Sequence, residues 1–153
     1  LGNPFFVNKY KLVKTLKNHL VPILRSPQAI FDKKKRTIKL HFDMMHGIGN
    51  LDRAIDLLDA EDKENFKSYV NQNVSFHPHN MFVCRTNVLR KYYENIFNWL
   101  FKCEKIFGFK DLDGYGLKRI YGFLAERYLS YWFTKNTKHY TFPILVKDLT
   151  DYL

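Results

Sequence analysis

Cysteine is scarce in this sequence. Cys84 and Cys103 are the only two, too few for a disulfide framework. Both stand among apolar neighbours, which predicts buried free thiols and fits a reducing cytoplasm. No apolar run approaches the ~18 residues of a membrane-spanning helix, and no secretory leader is visible in this sequence. Nor does it open on methionine: Leu1 leads us to expect a piece of a longer protein. No segment repeats, and none is of low complexity. Acidic residues are few as well. The 15 Asp and Glu face 25 Lys and Arg, for a net charge of +10 and a pI of about 9.6. That balance favours anionic partners: nucleic acid, acidic lipid headgroups or phosphorylated substrates. A merely basic, solvated face is the plainer alternative.

What is present suffices for one folded domain. The 153 residues are 46% apolar and 17% aromatic, with 14 Phe, 10 Tyr and 2 Trp. A chain of this size can bury a core without covalent staples, and this apolar share argues against disorder. The aromatic surplus exceeds what a core demands, so some rings are expected to line a groove.

Periodicity divides the chain into short elements. Residues 8–20 place Tyr10, Leu12, Val13, Leu16 and Leu20 at helical spacing, ended by Pro22 and Pro27. Lys33 to Arg36 form a charged turn. Residues 37–42 alternate with period two, which predicts a short strand. His46-Gly-Ile-Gly-Asn50 is a turn, with Asn50 as N-cap of a helix over 51–58. A second short helix follows over 62–70. Residues 81–84 form an all-apolar run, expected as a strand buried on both faces. Thr86 opens a long amphipathic helix to Phe107, closed by Gly108. Another helix runs over 117–133, and a terminal strand or arm over 142–146. The fold class expected is α/β and helix-rich, several helices around a few short buried strands.

Chemistry-bearing residues are scattered. His41-x-Asp43-x-x-His46 with His77-x-His79 has ligand types that suit Zn²⁺, Mn²⁺ or Fe²⁺, but the pattern is weak and polar loop histidines beside a pocket are the plainer explanation. Neither a His-Glu-x-x-His helix nor a Cys pair supports a metal, and no protein metal ligand set is assigned. Asp111-Leu-Asp113 has the spacing of a metal-diphosphate pair, although a turn and helix cap suffice for Asp113. Glu126 and Arg127 sit inside the most aromatic helix, where a carboxylate must be paired or face a cleft. Arg119 lies two turns back on roughly the same face. Basic residues among aromatics also permit stacking on RNA bases, but no helix-turn-helix, RNP-type or zinc-finger pattern is present.

Three segments occur in a telling order: His46-Gly-Ile-Gly-Asn-Leu-Asp52, His79-Asn-Met-Phe82, and Arg119-Ile-Tyr-Gly-Phe-Leu-Ala-Glu-Arg-Tyr-Leu-Ser-Tyr-Trp132. Over about residues 40–146 they resemble the C-terminal half of a bacterial glycosyltransferase family of capsule, exopolysaccharide and O-antigen loci, catalogued mainly as a domain of unknown function. The resemblance implies one domain over 1–153: an N-terminal helix and basic turn (1–39), then the acceptor-side half of a GT-A-like enzyme (40–146). The His-Tyr-Arg-Arg-like stretch of the family's N-terminal half is not found, so a donor site would be missing or incomplete. The resemblance further implies transfer of a sugar from a nucleotide-sugar to a surface polysaccharide or lipid-linked glycan, in the cytoplasm or at the inner membrane. Mn or Mg could accompany the nucleotide-sugar. Glu126 is the catalytic candidate. His46, Asp52, His79, Asn80, Arg119 and Arg127 are the substrate-binding candidates. Two other classes stay open: a non-catalytic basic and aromatic module that recruits nucleic acid or a membrane-bound assembly, and a metal-dependent hydrolase built on the histidines.

Overall fold

The structure is a computed structural model that describes residues 5–6, 26–109 and 112–143. Among these residues the architecture is helical. After two 3-10 turns, Pro27–Ile30 and Lys33–Lys35, come α1 (Ile38–His46), α2 (Asn50–Ile55), α3 (Ala60–Gln72), α4 (Thr86–Phe107), α5 (Gly114–Lys118) and α6 (Ile120–Asn136). The sheet is minimal: β1 (Phe5–Phe6) pairs antiparallel with β2 (Ser75–Phe76), Phe5 opposite Phe76. The helix-rich expectation is met. The helix expected over 8–20 lies outside the described residues.

The strand expected over 37–42 is instead the start of α1. Thr37 Oγ1 accepts from the Leu40 amide at 3.2 Å and caps the helix. Ile38, Phe42 and His46 recur every four residues and are buried, while Leu40 and Met44 bury a second row. A helix enclosed on two sides mimics period-two alternation over a six-residue window. The 81–84 strand is also absent. This segment is irregular: Phe82 packs on Tyr92 and Phe133, but Val83 is 100% exposed. It is one-sided because no neighbouring strand covers it. Phe142 and Pro143 show no strand either, and residues 144–146 lie outside the described set.

Smaller boundaries shifted for local reasons. Gly49, with φ of 78°, is the N-cap of α2. The Asn50 amide instead donates to the His46 carbonyl at 2.8 Å, tying α2 to the end of α1. The expected helix over 117–133 is split at Arg119 into α5 and α6. Asp113 caps α5 by accepting from the Gly114 amide. Helix α4 matches its expected span and closes at Gly108, φ 62°; its cap position is Arg85.

Helices α1, α3, α4 and α6 enclose the core. Trp99 and Tyr128 pack with tilted rings at 5.0 Å, with Phe66 edge-on to both. The Trp99 indole donates to the Ala54 carbonyl at 2.7 Å, so the one polar atom of a large buried ring is satisfied. Asp62 on α3 accepts from Tyr131 at 2.6 Å and pairs with Lys135 at 2.8 Å, stapling α3 to α6. Cys103 is buried and Cys84 half-buried, both free, and burial pushes the Cys103 thiol up to about 12.

Helix α5 meets α1 at a contact that only glycine permits. A Cβ on Gly116 would stand 2.2 Å from the Met45 carbonyl oxygen. Gly116→Ala must therefore push α5 off the end of α1. It is expected to lower stability by about 1–3 kcal/mol, the usual range for overpacking a rigid backbone contact. A denaturation midpoint shifted without change in slope would show it.

Candidate functional site

The site is built on one face of α6. Arg119, Gly122, Phe123, Glu126, Arg127 and Ser130 follow at three- and four-residue intervals and so share a side of the helix. The segment 77–80 lies against this face and runs the opposite way. His77 N–H donates to Ser130 Oγ at 2.7 Å, His79 N–H to Glu126 Oε1 at 3.1 Å, and Asn80 Nδ2 to the Gly122 carbonyl at 3.3 Å. Each step along the segment moves about one turn back along the helix.

His79 and Asn80 have φ of 75° and 49°. Among the described residues they are the only non-glycine positions in left-handed conformation. Two such residues in succession form the centre of a tight turn that costs a side chain conformational energy. The contacts to Glu126 and Gly122 hold it. Both side chains are thereby presented to solvent.

Below the turn lies a buried cation. Arg127 is 1% exposed. Its Nη1 donates to Glu126 Oε2 at 2.9 Å and to the Phe123 carbonyl at 3.1 Å. Its Nη2 reaches His41 Nδ1 at 3.1 Å. A guanidinium has no acceptor, so that histidine nitrogen accepts. The Phe76 ring lies 4.1 Å from the guanidinium carbon, within cation–π range. Burial pulls the guanidinium down to about 10, and Glu126 offsets part of that. It remains charged at neutral pH.

Glu126 is thus clamped from two sides, with 15% of its side chain exposed. Each oxygen receives one hydrogen bond and keeps a lone pair. His46 is buried, stacked on Phe123 at 4.0 Å, with Nδ1 3.2 Å from the Gly116 carbonyl. Burial, then the nearby Arg127 charge, push its imidazole down to about 3, so it is neutral. Arg119 is exposed, its guanidinium 5.1 Å from the Tyr115 ring and 5.8 Å from that of Phe123.

The structure therefore brings His79, Asn80, Glu126 and Arg127 into one constellation, and His46 and Arg119 join it through Phe123. Asp52 stands apart, paired at 2.5 Å with Lys39, which also binds Asp43 at 3.1 Å. The pairing of Glu126 foreseen from sequence exists, but its partner is the adjacent Arg127 rather than Arg119. Ser130 and Phe123 were not foreseen as parts of the site. Their spacing from Glu126, four residues on and three back, was the available signal.

The histidines do not form a metal centre. On a helix His41 and His46 point about 140° apart at 3.6 residues per turn. Asp43 Oδ1 is occupied by the Gly49 amide at 3.1 Å. Among the described residues no group of three or more His, Cys, Asp or Glu could hold a metal ion. Asp113 is fully exposed and 3.8 Å from Lys118; Asp111 lies outside the described residues.

Beside the rim a groove of about 1150 Å³ opens between residues 80–93 and 133–143. Asn80 is at its edge, and its walls include Phe82, Leu89, Tyr93, Phe133 and Tyr140. Arg85 and Lys138 line it, and among the described residues no acidic one does. Glu126 is not among its lining residues.

Comparison with known families gives a match to the domain of unknown function DUF4422 over residues 4–137. The chain belongs to this family. The match meets the resemblance at the level of a family of unknown function, and within DUF4422 it takes in α1 to α6 and the whole rim. No curated protein and no solved structure matches. Among the described residues of this DUF4422 domain, no helix is long and apolar enough to cross a membrane.

Proposed function

We propose that this chain is the acceptor-side half of a GT-A-like glycosyltransferase, which moves a sugar from a nucleotide-sugar to a bacterial surface polysaccharide or lipid-linked glycan. One observation carries the reading: the left-handed His79–Asn80 turn, seated on Glu126. Conformational energy is spent there to present an imidazole, an amide and a carboxylate together beside an aromatic-walled groove. Sugars are bound by such polar groups together with flat ring faces.

In this reading His79 and Asn80 hold acceptor hydroxyls. Glu126 anchors the attacking hydroxyl or takes its proton as the new glycosidic bond forms and the nucleoside diphosphate departs. Arg119, exposed on the same side, faces the anionic donor. Arg127 and His46 are too buried to touch substrate and act as positioning residues for Glu126 and Phe123. Asp52 orders the α1–α2 turn through Lys39. The described residues offer no ligand set for Mn or Mg, and the reading gives them no metal-dependent step.

Turnover of a nucleotide-sugar panel by the full-length protein, with and without Glu126→Gln, tests this. Loss of a positioned acid–base group is expected to lower turnover by about 10²–10⁴-fold. Unchanged turnover would remove Glu126 from the mechanism. Glutamine cannot accept from both His79 N–H and Arg127 as the carboxylate does, so the variant's melting temperature is measured alongside.

A second reading is favoured by Arg85 and Lys138 in the groove lining: a non-catalytic module that binds a polyanion. Steep loss of binding with rising salt, and no saturable nucleotide-sugar site, would select it.

A further inference from the structure

Helix α4 carries a row of residues at four-residue intervals: Arg85 at its cap, then Leu89, Tyr93, Phe97 and Phe101, and Lys105 in its last turn. The three aromatics lean on one another, with ring centroids 5.4 and 6.2 Å apart. They are also uncovered, at 43%, 47% and 59% exposure. Leu89 to Phe101 spans about 18 Å at 1.5 Å per residue. One flank of the row is the buried Tyr92, Ile96 and Cys103 side of the helix. The row therefore extends the core outward instead of sitting alone on a polar surface.

It also continues into the groove, since Leu89 and Tyr93 belong to both. Beyond them the exposed Met81, Val83 and Phe142 prolong the apolar face. Isolated exposed hydrophobics are ordinary, but a contiguous aromatic face marks an interaction surface. Its chemistry selects the partner. Arg85 and Lys105 close the two ends of the row, and Lys138 lies on the far wall of the groove. Aromatic residues between basic ends match the boundary of a bilayer with acidic headgroups.

We infer that the α4 aromatic row, with the groove it opens into, is the face by which this chain docks on an anionic lipid bilayer surface. The helix lies in the plane of the boundary: the rings enter the headgroup region while Arg85, Lys105 and Lys138 meet phosphates. This does not rest on the sugar-transfer reading and is tested without any nucleotide-sugar.

The experiment is co-sedimentation of the chain with vesicles of phosphatidylcholine alone or with one third phosphatidylglycerol. Binding is expected to the mixed vesicles and to fall with salt, because each basic group near the surface is worth about fivefold in partitioning. Phe97→Ser with Phe101→Ser is expected to weaken binding by at least about tenfold, from loss of buried ring area. Arg85→Gln with Lys105→Gln is expected to weaken binding to the mixed vesicles only. Half-exposed rings contribute little to folding, so melting temperatures should hardly move.

Absence of vesicle binding, or unchanged binding by the Phe97/Phe101 variant, overturns the inference. Concentration-dependent self-association that the same variant abolishes, without vesicle binding, overturns it in favour of a second copy. A large fall in melting temperature without vesicle binding overturns it too, and assigns the row to cover by other parts of the chain.

Discussion

Replacing Arg127 by alanine is expected to cost about 3–5 kcal/mol of stability, the range for removing one partner of a buried ion pair. The guanidinium is 1% exposed and joins three elements of the described structure. It holds Glu126 and the Phe123 carbonyl on α6, His41 on α1, and the Phe76 ring on β2. Truncation removes these bonds and opens a cavity as large as a Phe→Ala change leaves, itself worth roughly 3–5 kcal/mol. The two costs overlap, because the same atoms make the bonds and fill the space, so they do not add.

Methionine separates them. Arg127→Met keeps most of the volume, and a buried ion pair replaced by an apolar side chain of similar size is often near neutral. It leaves Glu126 without its cation, however. We expect a loss of about 1–2 kcal/mol for a part-buried carboxylate stripped of its charged hydrogen bond. Adding Glu126→Gln to Arg127→Met should then return part of that loss. Among the described residues the buried Nε of Arg127 has no hydrogen-bond partner, which lowers what the native pair contributes. An equal loss for alanine and methionine would show that bonding, not volume, sets the value. Chemical denaturation of the four proteins decides between them.

Much of this rim was legible in the sequence, and the reasons differ by residue. Glu126 stood out because a carboxylate in an aromatic helix needs a partner. The structure supplies Arg127 and the His79 amide. Asn80 is a residue type that tolerates left-handed backbone, but nothing in 76–84 announced two such residues in succession. Helix α4 could be read because an apolar stripe repeats over its 22 residues. Residues 37–42 could not, because six residues of alternating type fit a helix buried on two sides as well as a strand. The strand expected at 81–84 failed for another reason. Apolar composition records what a segment can bury, whereas a strand also needs a neighbour to pair with.

Acidification should weaken the fold through His46 before any carboxylate is reached. The ring is enclosed by Phe42, Phe123 and the Gly116 carbonyl, with the Arg127 charge nearby. Protonation would place a second cation in that interior. In the unfolded chain an imidazole titrates near 6.5, but in the folded protein only at about 3. Above about pH 6.5 both states are neutral, so this source of stability is fully present. Below it the unfolded chain takes up a proton that the folded chain refuses, and stability falls until the folded imidazole also titrates near pH 3. The slope inside this window is up to about 1.4 kcal/mol per pH unit, so roughly 2–3 kcal/mol should be lost between pH 6.5 and 4.5. Asp62 adds its loss only lower. Burial raises its pKa, but hydrogen bonds from Lys135 and Tyr131 prevail and hold it below the usual 3.8. His46→Phe isolates the effect. It keeps the stacking on Phe123, forfeits the Gly116 hydrogen bond, and should cost about 1 kcal/mol at pH 7. Its stability should then fall less steeply between pH 6.5 and 4.5 than that of the native chain. Parallel pH profiles for the two proteins would show that the buried imidazole is not what acid attacks.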